Sequence, residues 1–493
     1  MLQESGYRRP DDGALSGFLS NPIGARGLGM AESGRPTVSP CAEGPDLGSK
    51  SGTAHSKEGR VASTAISLSG VKGINFRYRG WAVLAGLFFC YAATNGILLN
   101  TMPLFYPKLM QEFGWSTQDV TLPAIVFSLV AAGAAPLMGL ALDRWSPRAV
   151  MLIGVVCIVV GLGLFSQLQS LAEMIVIYVF LALALVMGGL LPSMFLVARW
   201  FVRQRGIAAG ILLMASSAGG GFFPLLVKNT FATSGWRDAV VLMTVVGAAM
   251  MLLSVVLLVR NHPRDLGLLP DGANREPLPQ ETPENPRAVA GGPTLGQALR
   301  IPNFYFLMFA TAAMWFCING VVNHQAIYFS KDLGFADAEL PILMSVFFWC
   351  AVIGKFAFGV LSDYFKKGHI MLLATINMAL GLVLFRFVTD DNMLVTYGYA
   401  AVYGIGFSGA FTMIQLMIAE LFAGRAYGNI LGLFVCVDTL AGAAGIRVLA
   451  TMRDRLGDYG KSIDVMIALC VAAALCVVVI NLQSARARAS ATA

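Results

Sequence analysis

The sequence is short of charge. Asp, Glu, Lys and Arg make up 13% of its 493 residues and hydrophobic residues 56%, whereas soluble domains average about 25% charged. Such a chain cannot clothe itself in a water-compatible surface, so a soluble globular domain is excluded. Histidine is scarcer still. The four present, His55, His262, His324 and His369, are scattered without metal-ligand spacing. Eight cysteines include no C-x-x-C pair, and all but Cys41 fall inside apolar blocks, which excludes a disulfide framework. No nucleophile–base constellation, no N-x-S/T sequon and no apolar signal-peptide core occurs. GDYGKS at 457–462 resembles a phosphate loop, but Arg455 stands where that loop needs its first glycine, and no strand precedes it. An enzyme is therefore not expected, nor a cofactor or metal. The formal charge of +7 does not point to nucleic acid, because the basic residues cluster at the ends of apolar blocks.

Those blocks are what the chain has in abundance. Twelve are long enough to cross a bilayer, which takes about 20 helical residues: 81–102, 121–142, 150–168, 174–198, 206–227 and 239–259, then 304–329, 340–361, 370–388, 394–421, 426–449 and 463–482. A tail at 1–78, rich in Gly, Ser, Pro and charge, reads as disordered. A polar linker at 260–303 separates two bundles, 79–259 and 304–482, and a short tail follows at 483–493. One set of loops carries Arg144, Arg148, Arg199, Arg203, Arg205, Lys366, Lys367 and Arg425, against far fewer basic residues opposite. The excess predicts a multi-pass protein of the inner, cytoplasmic membrane with both termini and the linker cytoplasmic.

Helix 2 ends in GLALDRWSPR and helix 8 in GVLSDYFKKG. Each has Gly, three residues, Asp and then basic residues, at the same place in a six-plus-six pattern. An internal repeat of this kind marks a secondary transporter. Both stretches resemble the G-x-x-x-D-[RK]-x-G-[RK]-[RK] loop of the major facilitator superfamily, with Ser146 in place of the loop glycine in the first copy and a bulky Phe365 in the second. The resemblance implies an all-α fold of twelve transmembrane helices in two pseudo-symmetric six-helix bundles. It implies gating at Asp143, Arg144, Arg148 and Asp363, with Asp143 docking near Ala426 at the start of helix 11, where a helix N-terminus favours a carboxylate. A charged loop that only sets topology is the competing reading. EFGWS (112–116), ARWFVRQRGIAAG (198–210) and HPRDLGLLPDG (262–272) further resemble the oxalate/formate antiporter and monocarboxylate transporter branch.

In helix 7, Trp315, Asn319 and Asn323 recur every fourth residue and so share one face. Tyr91 and Asn95 do the same in helix 1, and helix 10 offers Ser408, Thr412 and Gln415. These faces either bond to neighbouring helices or line a polar cavity. In the resembled fold helices 1, 4, 7 and 10 surround the pathway, which favours the cavity. Gly206, Gly210 and the run Gly219–Gly221 in helix 5 read as close-packing positions, and Pro224 as a bend.

Lys355 stands out, because a charge inside a membrane helix costs roughly 2.5–3.5 kcal/mol on insertion scales. In the resembled monocarboxylate branch the matching position holds an arginine that binds the substrate carboxylate. That branch's acidic residue one turn earlier is Ala351 here, and helix 11 carries Asp438 in place of a second cation. Asp438 is then a resting partner of Lys355 or a proton site, and a purely structural Lys355–Asp438 pair is the alternative. The expected activity is alternating-access transport of a small organic anion, a monocarboxylate, by a monomer in the lipid bilayer, with protons or a counter-anion as open co-substrates. Proton-coupled efflux of amphipathic compounds and a transporter-like ligand sensor are the other readings.

Overall fold

The computed structural model describes residues 78–202, 204–272, 293–423 and 426–492. The tail expected over 1–78, the middle of the linker, Arg203 and Arg425 lie outside the described residues. Twelve helical spans are present. The first half comprises α1 (Gly80–Phe113), α2 (Thr117–Leu142), α3 (Pro147–Phe165), α4 (Leu171–Trp200), α5 (Arg205–Thr233) and α6 (Trp236–Leu258). The second comprises α7 (Pro302–Asp332), α8 (Leu340–Tyr364), α9 (Lys367–Arg386), α10 (Met393–Phe422), α11 (Tyr427–Leu456) and α12 (Gly460–Arg486). No strand occurs among the described residues. An even number of spans returns both ends to one face, termed proximal; the other is distal.

Local chemistry sets the helix ends. Gly114 closes α1 in the left-handed region (φ +68°), and Ser116 opens α2 with a capping box: its hydroxyl accepts from Asp119 N, and the Asp119 carboxylate accepts from Ser116 N. EFGWS is thus a stop glycine followed by a start serine. Ser146, which replaces a loop glycine, caps α3 and donates to Asn261 Oδ1 at 3.1 Å. HPRDLGLLPDG folds as two short 3₁₀ turns, Pro263–Leu266 and Pro270–Gly272. Its Asp271 carboxylate accepts from the backbone N–H of Val202 at 2.9 Å, pinning the linker to the α4–α5 turn. GDYGKS is the α11–α12 turn, with Gly457 left-handed at φ +86°.

Three spans depart from the apolar pattern. α1 runs about three turns past its expected end at residue 102, through a π-helical stretch Gly96–Thr101 and a 3₁₀ turn Met102–Phe105. Thr101 Oγ1 donates to Gly96 O at 2.7 Å inside that stretch. α4 breaks at Gly189 (φ −95°, ψ −136°), because Pro192 has no N–H to continue the ladder. The backbone helix that begins α12 continues through the expected C-terminal tail to Thr492. α5 stays continuous across Pro224.

The two halves repeat one packing scheme. α1 lies on α5, α2 on α4, and α3 on α4 and α6; correspondingly α7 lies on α11, α8 on α10, and α9 on α10 and α12. Two long seams join the halves, α2 with α11 and α5 with α8, and the distal part of α1 also touches α7. The α5–α8 seam is tight at mid-height. A side chain at Gly220 would meet the Phe348 ring at 2.6 Å, and one at Gly221 the Trp349 indole at 2.7 Å. Gly219 packs equally closely on α1, against Ala92 O. Gly206 and Gly210, expected to pack likewise, have no atom within 4 Å of an added side chain. The same holds for Gly133 and Gly139 on α2, Gly359 on α8 and Gly432 on α11, so these glycines of the seam helices are loosely surrounded toward the proximal face.

Candidate functional site

A chamber of about 100 Å³ lies between the halves. Its wall draws on both: Tyr91, Asn95 and Asn100 of α1, Phe127 of α2, Tyr178 of α4, Ser216 and Ser217 of α5, Trp315, Asn319 and Asn323 of α7, Lys355 of α8, and Phe407 and Phe411 of α10. Six of the expected binding residues meet there, namely Tyr91, Asn95, Trp315, Asn319, Asn323 and Lys355. Gln415 and Asp438 do not line it. α10 instead presents Phe407 and Phe411, while Ser408 packs against α8, its hydroxyl occupying the place of a Gly354 side chain.

Helix geometry explains the wall. In a regular α-helix, residues five apart point in different directions. The π-helical stretch after Asn95 turns Asn100 back onto its face, and Asn100 Nδ2 reaches Asn95 Oδ1 at 3.3 Å and Ser216 O at 2.8 Å. On α7 the amides of Asn319 and Asn323 each donate to the carbonyl four residues back, Trp315 O at 3.2 Å and Asn319 O at 3.0 Å. That arrangement engages one of the two N–H groups of each amide on the helix, and Asn323 Oδ1 accepts from the Tyr106 hydroxyl. On its distal side Tyr178, Tyr106 and Asn323 form a row of hydroxyls and amide, each 3.5 Å from the next.

Lys355 faces this wall from α8. It is 7% exposed, while its neighbours Ile353 and Phe356 are 63% and 62% exposed on the outer surface. Its Nζ donates to Leu213 O at 3.1 Å and to Ser216 Oγ, and stands 4.9 Å from the centroid of the Phe411 ring. Ser216 in turn donates to Leu213 O at 3.1 Å. The expected ion pair with Asp438 is not formed. Asp438 sits between α11 and α7 beside Thr311, buried, with its Oδ1 lacking any hydrogen-bond partner among the described residues. The two charges belong to different helix contacts, Lys355 to the α5–α8 seam between the halves and Asp438 to the α7–α11 contact within the second half, and helical pattern alone does not reveal which contact a residue enters. Among the described residues Lys355 is the only charged one in the chamber wall.

The distal end is latched. Lys108 of α1 pairs with Asp337 in the α7–α8 loop. The Asp454 carboxylate of α11 accepts from the backbone N–H groups of Thr117 at 3.1 Å and Gln118 at 3.0 Å, and so caps α2 from the other half. Arg453 donates to Thr117 Oγ1 at 3.1 Å and to Asp332 at 2.9 Å. None of these carboxylates carried a sequence motif. Their signal is only that acids and bases crowd the distal helix ends.

Of the expected gating residues, Asp143's side chain and the turn before Ala426 lie outside the described residues. Arg144 and Asp363 are exposed. Arg148 is held within the first half, donating to Val255 O at 3.1 Å and Val256 O at 2.8 Å at the end of α6. Among the described residues no cluster of three or more His, Cys, Asp or Glu side chains is placed to hold a metal.

The family model of the Major Facilitator Superfamily matches residues 84–446. The chain is 26% identical over 403 residues to the phosphoglycerate transporter protein of Salmonella typhimurium, covering 78% of this chain and 85% of the relative. It is 25% identical over 395 residues to monocarboxylate transporter 13 of Rattus norvegicus, covering 78% and 84%. It is 24% identical over 374 residues to the glycerol-3-phosphate transporter of Bacillus subtilis, covering 73% and 83%. Twelve spans, a repeated packing scheme and a chamber shared by both halves agree with that match: the chain belongs to the major facilitator superfamily, as a multi-pass membrane transporter of small molecules and not an enzyme.

Proposed function

We propose that the chain carries a small organic anion, specifically a monocarboxylate, across the cytoplasmic membrane by alternating access, with its proximal face in the cytoplasm. The observation that carries this reading is Lys355. Among the described residues it is the only charged one lining the chamber, and both its hydrogen-bond partners there, Leu213 O and Ser216 Oγ, are neutral. A buried charge is strongly disfavoured unless it is paired. An ammonium has three donors, and two are engaged, so a carboxylate oxygen can take the third and supply the missing charge. The amides of Asn319 and Asn323, which line the same chamber, then meet the rest of the anion and suit a hydroxyl substituent. Phe407 and Phe411 suit its carbon skeleton.

The three relatives above are named for organic anions, two of them phosphate esters. A phosphate ester brings about −1.5 to −2 charges at neutral pH, and one lysine matches a single charge better. Lysine also lacks the planar fork by which arginine grips a carboxylate through two bonds. The orientation is supported by the Lys and Arg excess in the proximal loops. Alternating access is supported by the distal latch above a chamber whose seam helices loosen proximally.

Counterflow in proteoliposomes with acetate, pyruvate, lactate and glycerate tests the proposal. Wild type is expected to exchange at least one of them. Lys355→Gln should lose that exchange while remaining folded in the membrane, and Lys355→Arg should retain part of it. Undiminished exchange by the Gln variant refutes the role given to Lys355.

A further inference from the structure

The chamber wall offers more hydrogen-bonding groups than one carboxylate can use. From Lys355 it runs two ways, and both are polar. Along α10 and α7, the centroid of the Phe411 ring is 4.9 Å from Lys355 Nζ and 5.8 Å from that of the Trp315 ring. Asn319 and Asn323 follow Trp315 at helical spacing and lead to the Tyr106 hydroxyl. Along α5 and α1, Ser216 bonds Lys355 and accepts from Asn100, which reaches Asn95. Several groups on these paths are unmet. Trp315 Nε1, Asn95 Nδ2 and Ser217 Oγ make no hydrogen bond among the described residues, nor do the amide oxygens of Asn100 and Asn319.

We propose that the anion is a short polyhydroxylated monocarboxylate, of the glycerate and four-carbon aldonate class. This rests on the anion reading above and adds which anion the site takes: its carboxylate on Lys355, at least two hydroxyls along the polar wall, and its C–H groups against Phe407 and Phe411. The unmet groups include both donors and acceptors, and few substituents answer both. An alkyl chain answers neither and leaves them unpaired once water is expelled, which costs more than a made bond contributes. A keto oxygen or a second carboxylate only accepts, and the second carboxylate finds no second cation. An ammonium only donates and finds no acid, since Lys355 is the only charge in the wall among the described residues. A hydroxyl donates and accepts.

Size sets the chain length. At ~10–15 Å³ for each water-sized centre, a chamber of about 100 Å³ has room for roughly eight non-hydrogen atoms. Glycerate and the four-carbon aldonates fit that room, and gluconate overfills it. Asn319 is held in place to read the ligand. Its amide donates to Trp315 O at 3.2 Å, and Gly442 of α11 packs so closely behind it that an added carbon would meet the amide nitrogen at 2.5 Å. The amide therefore has little freedom to turn away from a ligand that fails to bond it.

Half-saturation of counterflow in proteoliposomes tests the assignment. Propionate, lactate and glycerate share one carbon skeleton and differ only in carrying no, one or two hydroxyls. Half-saturation should fall about tenfold with each hydroxyl added. Threonate, with one more carbon and one more hydroxyl, should do at least as well as glycerate, and gluconate no better than propionate. Propionate exchanged as tightly as glycerate overturns the polyhydroxylated assignment and leaves the anion reading standing. Gluconate exchanged as tightly as threonate overturns the size limit. Exchange of none of the five sinks the anion reading and this assignment with it. Asn319→Leu keeps the bulk and removes the amide. It should raise half-saturation for glycerate about tenfold and leave that for propionate unchanged. An equal rise for both acids would make Asn319 a structural group and overturn its part in reading hydroxyls. Tyr106→Phe removes a single hydroxyl and keeps the question open to test where the Leu variant does not fold. It should weaken threonate but not lactate, and equal effects on both refute the distal row as a hydroxyl site.

Discussion

At Ser216 a small side chain connects the two halves. Its carbonyl accepts from Asn100 of α1, and its hydroxyl accepts from Lys355 of α8. The hydroxyl thus fixes where the ammonium stands before any anion arrives. Hydrogen bonds to charged groups contribute about 1.5–3 kcal/mol, so Ser216→Ala should weaken anion binding roughly tenfold at 1.4 kcal/mol per decade. Maximal exchange should survive, because the charge itself remains. Half-saturation in the counterflow assay measures this, and an unchanged value would show that Lys355 is positioned by Leu213 O and the Phe411 face alone. Lys355 itself was legible in the sequence, since a lone charge in an apolar block asks for a reason. Asn100 was not. Five residues from Asn95, it leaves the shared face in any regular helix and returns only through the π-helical stretch, which no residue spacing announces.

At the scale of the helix, the glycines of α5 separate two kinds of position that look alike in sequence. Gly206 and Gly210 have the four-residue spacing of a packing motif, yet open space surrounds them. Gly219 stands where an added carbon would lie 2.0 Å from Ala92 O. Backbone cannot yield as a flexible side chain does, so Gly219→Ala must force α1 and α5 apart. Overpacking typically costs about 1–3 kcal/mol. In thermal unfolding of the detergent-solubilised protein, Gly219→Ala should lower the midpoint clearly, whereas Gly206→Ala should stay within about 0.5 kcal/mol of wild type, as surface changes do. Equal effects at both positions would mean that α5 is not anchored at the glycine run. The number and order of the spans followed from apolar length, because hydrocarbon thickness leaves little choice. Their interruptions did not. Gly189 and the irregular stretch of α1 depend on backbone hydrogen bonds that neighbouring helices and side chains restore.

For the whole molecule, the distal latch fixes which face is shut, and its Asp454 contact is a distal counterpart of the one the sequence predicts proximally. The loop aspartate Asp143 was expected to cap α11 proximally; distally, Asp454 of α11 caps α2. A carboxylate on a helix N-terminus contributes about 0.3–1 kcal/mol, and up to about 2 when partly buried, and the bond must break whenever the chamber opens distally. Asp454→Asn replaces the anion by a neutral amide, and Asp337→Asn removes a further cross-half contact, the pair with Lys108. With the Arg453–Thr117 bond left in place, the two changes together should still shift the balance toward the distal-open state by roughly tenfold, each 1.4 kcal/mol being one decade. A cysteine at Val322, in the chamber wall, placed in a background without the native cysteines, reports that shift through a membrane-impermeant thiol reagent. Added outside intact cells, the reagent should label the double variant about ten times faster than the latched protein. Labelling from outside also places the distal face away from the cytoplasm, as the basic proximal loops require. Equal rates in both proteins would mean that the seams, α2 with α11 and α5 with α8, hold the distal face closed without the latch. Faster labelling only in inverted vesicles would reverse the orientation.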